Sequence, residues 1–223
     1  MKMKKRASLT ALVGILALAG AACGSDNDND SASNSQGSSQ EQPKSTDKVT
    51  AIPSLTGVGT SVILDAGTAG ALKGLGVAIA PSGNATFEAS TSTITFPITS
   101  GYAEIHSDPS VKPGYIQGSV NHEGSGFTLT AGATKVTLDD FVVDPGNSML
   151  YGTVGGSPKV PLLFLDGANV KVSMEGSNVV LQGTVAKLTA PGAAALNSAF
   201  GVSDFKEGLP LGVVRLVAAG SNG

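Results

Sequence analysis

Three side chains with coordinating chemistry alternate along one short segment of the chain. Tyr102, Glu104 and His106 are separated by Ala103 and Ile105. Successive side chains of a β-strand point to opposite faces, so this spacing predicts that the three polar groups share one face. Tyrosine oxygen and histidine nitrogen both serve as axial ligands of haem iron. The segment is therefore a candidate ligand-binding cluster, and the alternative interpretation is the wetted outer face of an ordinary strand.

Two further residues of this kind follow on the next expected strand. Tyr115 has an odd position number and His122 an even one. A regular strand would send their side chains to opposite faces. We therefore expect at most one of them to join the alternating cluster.

Catalytic chemistry has little support in the sequence. Nucleophilic hydrolysis needs a nucleophile, a base and an orienting acid, yet no G-x-S-x-G motif is present and only two histidines could act as bases. The adjacent carboxylates Asp139 and Asp140 are expected on opposite faces, as at a solvated strand end. We expect no enzymatic activity and no metal site, and haem is the one cofactor that the alternating cluster could bind.

Charge and length exclude some classes of protein. The chain has 223 residues, with 14 basic and 17 acidic side chains and a net charge of -3. A protein that binds nucleic acid by neutralising phosphates needs a basic face, so no nucleic-acid partner is expected. The length suits one globular domain.

The N-terminus has the pattern of an export signal. A basic segment comes first, an apolar stretch from Leu9 to Leu18 follows, and four small residues then precede Cys23, the only cysteine. This pattern resembles the lipobox of bacterial lipoproteins, in which the cysteine receives a diacylglyceryl group before cleavage. The resemblance implies a signal peptide over residues 1–22, lipidation at Cys23, and a mature chain anchored on the extracytoplasmic face of the cell membrane. The alternative is an ordinary secretory signal with an incidental cysteine.

A polar segment follows the cysteine. From Gly24 to Asp47 the chain is almost devoid of apolar residues, so it cannot bury enough surface to fold. We expect a disordered tether over residues 23–47. Removal of residues 1–22 would leave 10 basic against 17 acidic residues, a net charge of -7, so the lipid rather than charge would hold the protein on a membrane.

Residues 48–220 carry the pattern of an antiparallel β domain. Ile94, Phe96 and Ile98 alternate with threonines, as in a strand with one apolar face. Two hairpins are predicted, one from Phe127 to Leu138 and one from Val170 to Leu188. The fold class expected is mainly β, an antiparallel two-sheet sandwich or flattened barrel with two short helices.

The two expected helices occur in similar segments. Residues 64–72 and 188–196 align without a gap, and each contains an N-cap candidate, Asp65 or Thr189, followed by alanine-rich sequence. Pro191 suits a first helical turn, and Gly76 and Gly201 suit helix ends. The segments could be a duplicated strand–helix unit, two helices that close the two ends of the sandwich, or convergent caps.

The β domain resembles the HtaA-type haem-uptake domain. The resemblance extends over Val49 to Ala219 and is closest from Gly114 to Asp144, which reads G-x-I-x-G-x-V-x-H…F-T-L-T…V-T-L-x-D-F-V-V-D. It implies a β domain that handles haem at the cell surface. The mycobacterial lipid-carrier lipoproteins are a second likeness, and they imply a large apolar cavity.

Three functions are compatible with these observations. The leading hypothesis is a non-enzymatic lipoprotein of the cell membrane whose β domain has a structural or ligand-binding role. The second is a carrier of haem or of another apolar ligand such as a lipid, and the third is a secreted hydrolase. The first two differ in whether the interior of the β domain is filled by side chains or left open.

Overall fold

The computed structural model describes residues 47–112 and 114–221. Residues 1–22 and the lipidation site at Cys23 lie outside the described residues, as does nearly all of the expected tether. Within the described part, no helix is both long enough and apolar enough to cross a membrane.

The described chain forms thirteen strands and two helices. In order they are β1 (Val49–Ile52), β2 (Ser54–Leu64), α1 (Ala66–Gly74), β3 (Val77–Gly83), β4 (Thr86–Glu88), β5 (Thr93–Phe96), β6 (Ser100–His106), β7 (Ile116–Ala131), β8 (Thr134–Asp144), β9 (Met149–Val154), β10 (Ser157–Asp166), β11 (Lys171–Glu175), β12 (Asn178–Leu188), α2 (Ala190–Phe200) and β13 (Pro210–Ser221). The expectation of a mainly β fold with two short helices is confirmed.

All thirteen strands belong to one antiparallel sheet. Its order is β1-β6-β7-β8-β9-β10-β12-β13-β2-β5-β4, while β3 pairs with the second half of β7 and β11 pairs with the first half of β12. The expected sandwich had two separate sheets, whereas here a single sheet curls to cover its own apolar face. Long strands that change partners midway make this possible, since β7 pairs first with β6 and then with β3.

The hairpins follow the sequence pattern. Phe127 pairs with Leu138 and Leu129 with Val136, and β11 turns into β12 through residues 175–178. Ile94, Phe96 and Ile98 are buried, as their alternation predicted. Local alternation and turn residues therefore determine these strand pairs.

Both helices begin at their predicted caps. The Asp65 side chain accepts a hydrogen bond from the Thr68 backbone N–H, and the Thr189 hydroxyl accepts one from the Gly192 N–H. Gly201 ends α2 in the left-handed conformation that glycine adopts without strain. These caps satisfy backbone donors that a helix start leaves free.

The helices lie at one end of the sheet rather than at opposite ends. Strands β2 and β12 flank β13, and both run antiparallel to it. They are therefore parallel to each other, and α1 and α2 follow them at the same end. Leu72 of α1 and Leu196 of α2 pack in the same hydrophobic cluster. Of the three alternatives, the one with helices that close two different ends is therefore wrong, whereas a duplicated strand–helix unit and convergent caps both agree with this arrangement.

The inner face of the sheet carries two hydrophobic clusters. The first contains the helix residues together with three phenylalanines, Phe96, Phe141 and Phe205. The second contains smaller side chains, among them Ala186 and Ala218. Partly buried Leu150 and Leu163 pack against both clusters. The interior is therefore one continuous apolar region with its bulk at the helical end.

The carboxylates Asp139 and Asp140 occupy a bulge in the middle of β8, not a strand end as expected. The pairing of β8 with both neighbours shifts register here, and Asp140 has a φ of 51°. The Asp140 carboxylate accepts a hydrogen bond from the Gly124 N–H at 2.9 Å across the irregularity. Burial, and then the Asp140 charge, raise the pKa of Asp139. The bulge therefore explains why two carboxylates lie next to each other in the middle of this strand.

We expect loss of the α2 cap to destabilise the domain. Thr189→Ala removes a hydroxyl that accepts from Gly192 and donates to the backbone carbonyl of Pro161, at a residue only 8% exposed. The free energy of unfolding in urea should fall by about 1–2 kcal/mol. Thr91→Ala, in an exposed turn, is the matched control and should leave it unchanged to within about 0.5 kcal/mol. Equal effects of the two substitutions would contradict the role of the cap.

Candidate functional site

An apolar cavity of about 550 Å³ lies inside the curled sheet. Its wall includes members of both hydrophobic clusters and of both helices. Ligand-binding cavities in proteins span roughly 300–1,000 Å³ and are mostly apolar with a few placed polar groups. The interior is therefore left open on the scale of a small organic molecule.

Three fully buried polar residues interrupt the apolar wall, and they are Thr60, Thr68 and His122. The Thr68 hydroxyl donates to the backbone carbonyl of Pro210. His122 Nε2 lies 2.8 Å from Thr60 Oγ1, and His122 Nδ1 lies 3.3 Å from the Phe141 carbonyl oxygen. Each polar group on the inner wall thus has a partner in the protein.

His122 is neutral at physiological pH. Its side chain is 1% exposed, and burial lowers the pKa of His122 to about 4, against a smaller opposing effect of the hydrogen bond to Phe141. The edge of its ring meets the Phe96 ring, with centroids 6.4 Å apart. A neutral imidazole is the form that such an apolar environment tolerates.

The cavity reaches the surface beside three exposed apolar side chains, which we call the rim: Tyr115, Phe164 and Val172. Asp166 is the only charged residue in the wall, within the described part of the chain. Its carboxylate pairs with the Lys187 ammonium at 2.7 Å, and this hydrogen bond, with a second from the Ala168 N–H, lowers the pKa of Asp166. The rim is therefore apolar, and its one carboxylate is neutralised.

A second, smaller cavity of about 400 Å³ lies next to the rim. It shares four wall residues with the main cavity, Ile105, Tyr115, Ile116 and Val172, and also contains His106. His106 Nδ1 lies 2.6 Å from the Asp47 carboxylate, and its Nε2 is buried without a hydrogen-bond partner among the described residues. Hydrogen bonds from His106 and from the Asp108 N–H lower the pKa of Asp47.

The alternating cluster divides between two environments. Ala103 and Ile105 line the main cavity, and Ile105 also lines the smaller one. Tyr102 is 50% exposed, and neither Tyr102 nor Glu104 lines either cavity, whereas His106 lines the smaller one. The role of Tyr102, Glu104 and His106 in ligand binding stays a prediction, because these positions do not test it.

The inner wall of the main cavity offers haem iron no free imidazole, and Tyr115 at the rim is the one tyrosine in the wall among the described residues. Both ring nitrogens of His122 are engaged, by Thr60 and by Phe141, so no imidazole there is free to bind iron. No lysine or arginine among the described residues lines this cavity to pair with haem propionates. No group of three or more potential metal ligands occurs in the described part of the chain either.

The sequence interpretation missed the importance of His122 and Thr60. The sequence suggests His122 only as a possible base and as a possible member of the alternating cluster, and it gives no reason to select Thr60. The alternation pattern of β7 could have indicated His122. It is an even-numbered residue of the strand, as are the apolar Ile116 and Val120, and all three line the cavity. Tyr115 precedes the strand and reaches the cavity from the loop, so parity did not govern it.

No family model matches this sequence, and no curated protein matches it significantly. Among solved structures, the chain is similar to the C-terminal domain of HtaA from Corynebacterium glutamicum, with a TM-score of 0.47, 16% identity, and coverage of 74% of this chain and 98% of that one. It is also similar to the domain-swapped dimer of the H434A variant of that domain, with a TM-score of 0.44, 16% identity, and coverage of 70% and 92%. At this level the likeness concerns the β architecture and says nothing about a ligand.

We expect burial of neutral His122 to make stability depend on pH. The unfolded chain binds a proton near pH 6.5 and the folded chain only near pH 4, so acid favours unfolding between these values. Wild-type protein should lose roughly 3 kcal/mol of unfolding free energy between pH 7 and pH 4 through this residue alone. Urea unfolding of wild type and His122→Gln over this range isolates the contribution.

His106→Gln is the matched control, since it removes the other histidine and should keep the steep loss. Parallel pH profiles for wild type and His122→Gln would contradict the buried neutral imidazole.

Proposed function

We propose that this protein is a non-enzymatic lipoprotein of the bacterial cell membrane whose β domain carries an apolar small molecule. The observation that supports the proposal is the open interior of about 550 Å³, with its almost entirely apolar wall. A domain with a purely structural role gains nothing from such a space, because unfilled volume forfeits packing contacts. A bound apolar molecule would restore those contacts.

The rim supports entry of a ligand from the surface. Tyr115, Phe164 and Val172 are 37%, 44% and 49% exposed and line the cavity. Exposed apolar side chains around an opening are typical of ligand-binding grooves. An apolar molecule would therefore meet an apolar surface along its whole path into the sheet.

A binding role without catalysis agrees with the chemistry of the wall. Both nitrogens of His122 are occupied, and Asp166 is held by Lys187, so neither group is poised to move a proton to or from a ligand. Catalytic groups need such access to the reacting atoms. We therefore propose a carrier rather than the secreted hydrolase.

Location at the extracytoplasmic face of the membrane depends on Cys23. Several acyl chains on one residue give stable anchoring, whereas one chain is marginal. The protein would partner the membrane through this lipid, and no nucleic-acid partner is proposed.

Binding of a hydrocarbon probe tests the cavity. The chain from residue 23 onward, carrying Cys23→Ser, should bind 1,6-diphenylhexatriene with a saturable rise in fluorescence. Ala186→Leu adds three carbons at a buried residue of the cavity wall and should weaken binding by about tenfold or more. Ala78→Leu, which adds the same carbons at an exposed position of β3, is the matched control and should bind as wild type does.

Equal binding by wild type and Ala186→Leu would show that the probe is not in the cavity. Haemin provides the competing outcome. A Soret shift that is lost in Tyr102→Phe, without binding of the hydrocarbon probe, would overturn the cavity proposal and favour the cluster on β6.

Lipidation at Cys23 has its own test. In a bacterial host, radioactive palmitate should label the wild-type protein and not Cys23→Ser, and globomycin should cause the precursor to accumulate. Label on Cys23→Ser, or processing that globomycin leaves unchanged, would contradict the anchor. Ser25→Ala, which changes a residue of the expected tether and keeps Cys23, is the control and should be labelled as wild type is.

A further inference from the structure

The direction of the hydrogen bonds around His122 is determined by the Phe141 carbonyl. A carbonyl oxygen only accepts hydrogen bonds, so the ring proton of neutral His122 lies on Nδ1, 3.3 Å from that oxygen. Nε2 then carries a lone pair. The Thr60 hydroxyl, 2.8 Å from Nε2, must therefore be the donor of this bond.

This leaves only lone pairs on the Thr60 oxygen. A threonine hydroxyl has one proton to donate and two lone pairs that accept. Thr68, the other buried hydroxyl of the cavity wall, also donates its proton within the protein, to the Pro210 carbonyl. The buried polar surface inside the cavity can therefore accept hydrogen bonds but has no proton left to donate.

The other hydroxyl groups of the wall belong to less buried residues. Ser148 and Thr184 are half-buried, and Tyr115 is exposed at the rim. No cationic side chain of the described residues lines the cavity, and its one carboxylate, Asp166, pairs with Lys187. A ligand anion would lose its hydration without gaining a partner.

We propose that the cavity selects a neutral apolar molecule that carries a hydroxyl group, and that this hydroxyl donates its proton to Thr60 Oγ1. The inference rests on the proposed function and names its ligand class. An ether or ketone of the same length offers only lone pairs, which would face the lone pairs of Thr60. A fatty carboxylate is disfavoured further because it brings a charge into an apolar site.

Competition against the hydrocarbon probe tests the ligand class. Diphenylhexatriene bound to the Cys23→Ser chain is displaced with 1-decanol, with decyl methyl ether, or with decanoate at pH 8. Decanol should displace the probe at a concentration about three- to tenfold lower than the ether, although the ether is the more hydrophobic molecule. Decanoate should be the weakest competitor.

Three variants identify which hydroxyl of the cavity wall accepts the hydrogen bond from the ligand. Thr60→Val keeps the shape of the side chain and should remove the preference for decanol, whereas Thr60→Ser retains the hydroxyl and should keep it. Thr68→Val should also keep the preference. Loss of the preference in Thr68→Val but not in Thr60→Val would overturn the assignment to Thr60. Probe affinity within about twofold of wild type shows that each variant has kept its cavity, because the probe has no polar group.

The two proposals fail in different ways. If the probe does not bind, or if it binds Ala186→Leu as well as wild type, the proposed function fails and the ligand class fails with it. If the probe binds in the cavity while the ether or decanoate competes as well as decanol does, the preference for a hydroxyl is wrong and the cavity proposal stands.

Discussion

The structure depends on alternation of side chains along one curled sheet, interrupted at bulges such as that of Asp139 and Asp140. Between bulges every second residue of the long strands points inward, so a single sheet must supply both the wall of the core and most of the groups that fill it. The seven phenylalanines, three tyrosines and no tryptophan of this chain provide little bulk for that purpose. Phe96 and Phe141 contact each other at the helical end and line the cavity there. The same cavity wall continues to Ala186 and Ala218 of the second cluster, whose small side chains fill little of the interior.

Polar atoms inside such a space must be satisfied without water. Thr60, His122 and the Phe141 carbonyl form a chain of hydrogen bonds that ends on an oxygen lone pair rather than on an unpaired donor. A carbonyl or hydroxyl oxygen with a spare lone pair is tolerated in an apolar site better than an orphaned N–H group. Burial keeps the imidazole uncharged against the smaller opposing effect of the Phe141 hydrogen bond, and the neutral ring in turn determines the direction of the two hydrogen bonds.

The local elements of this fold could be predicted from sequence because their causes are local. The caps at Asp65 and Thr189 and the hairpin joining Phe127 to Leu138 depend on residues a few positions apart. The single curled sheet depends on partner changes along β7 and β12, which alternation does not encode. The contact between Thr60 and His122 joins residues 62 positions apart. Which of the two donates the hydrogen bond is determined by a third group, the Phe141 carbonyl, which can only accept. Alternation predicts that Tyr102, Glu104 and His106 share one face of a strand, but it does not tell which face of the sheet is enclosed.

The contact between Asp47 and His106 shows where the first described residue lies relative to the rim of the cavity. Asp47 is where the chain enters the described domain, and it binds a histidine of the smaller cavity, whose wall is shared with Tyr115 and Val172 at the rim. The attachment point of the N-terminal segment and the opening of the main cavity therefore occupy the same side of the domain.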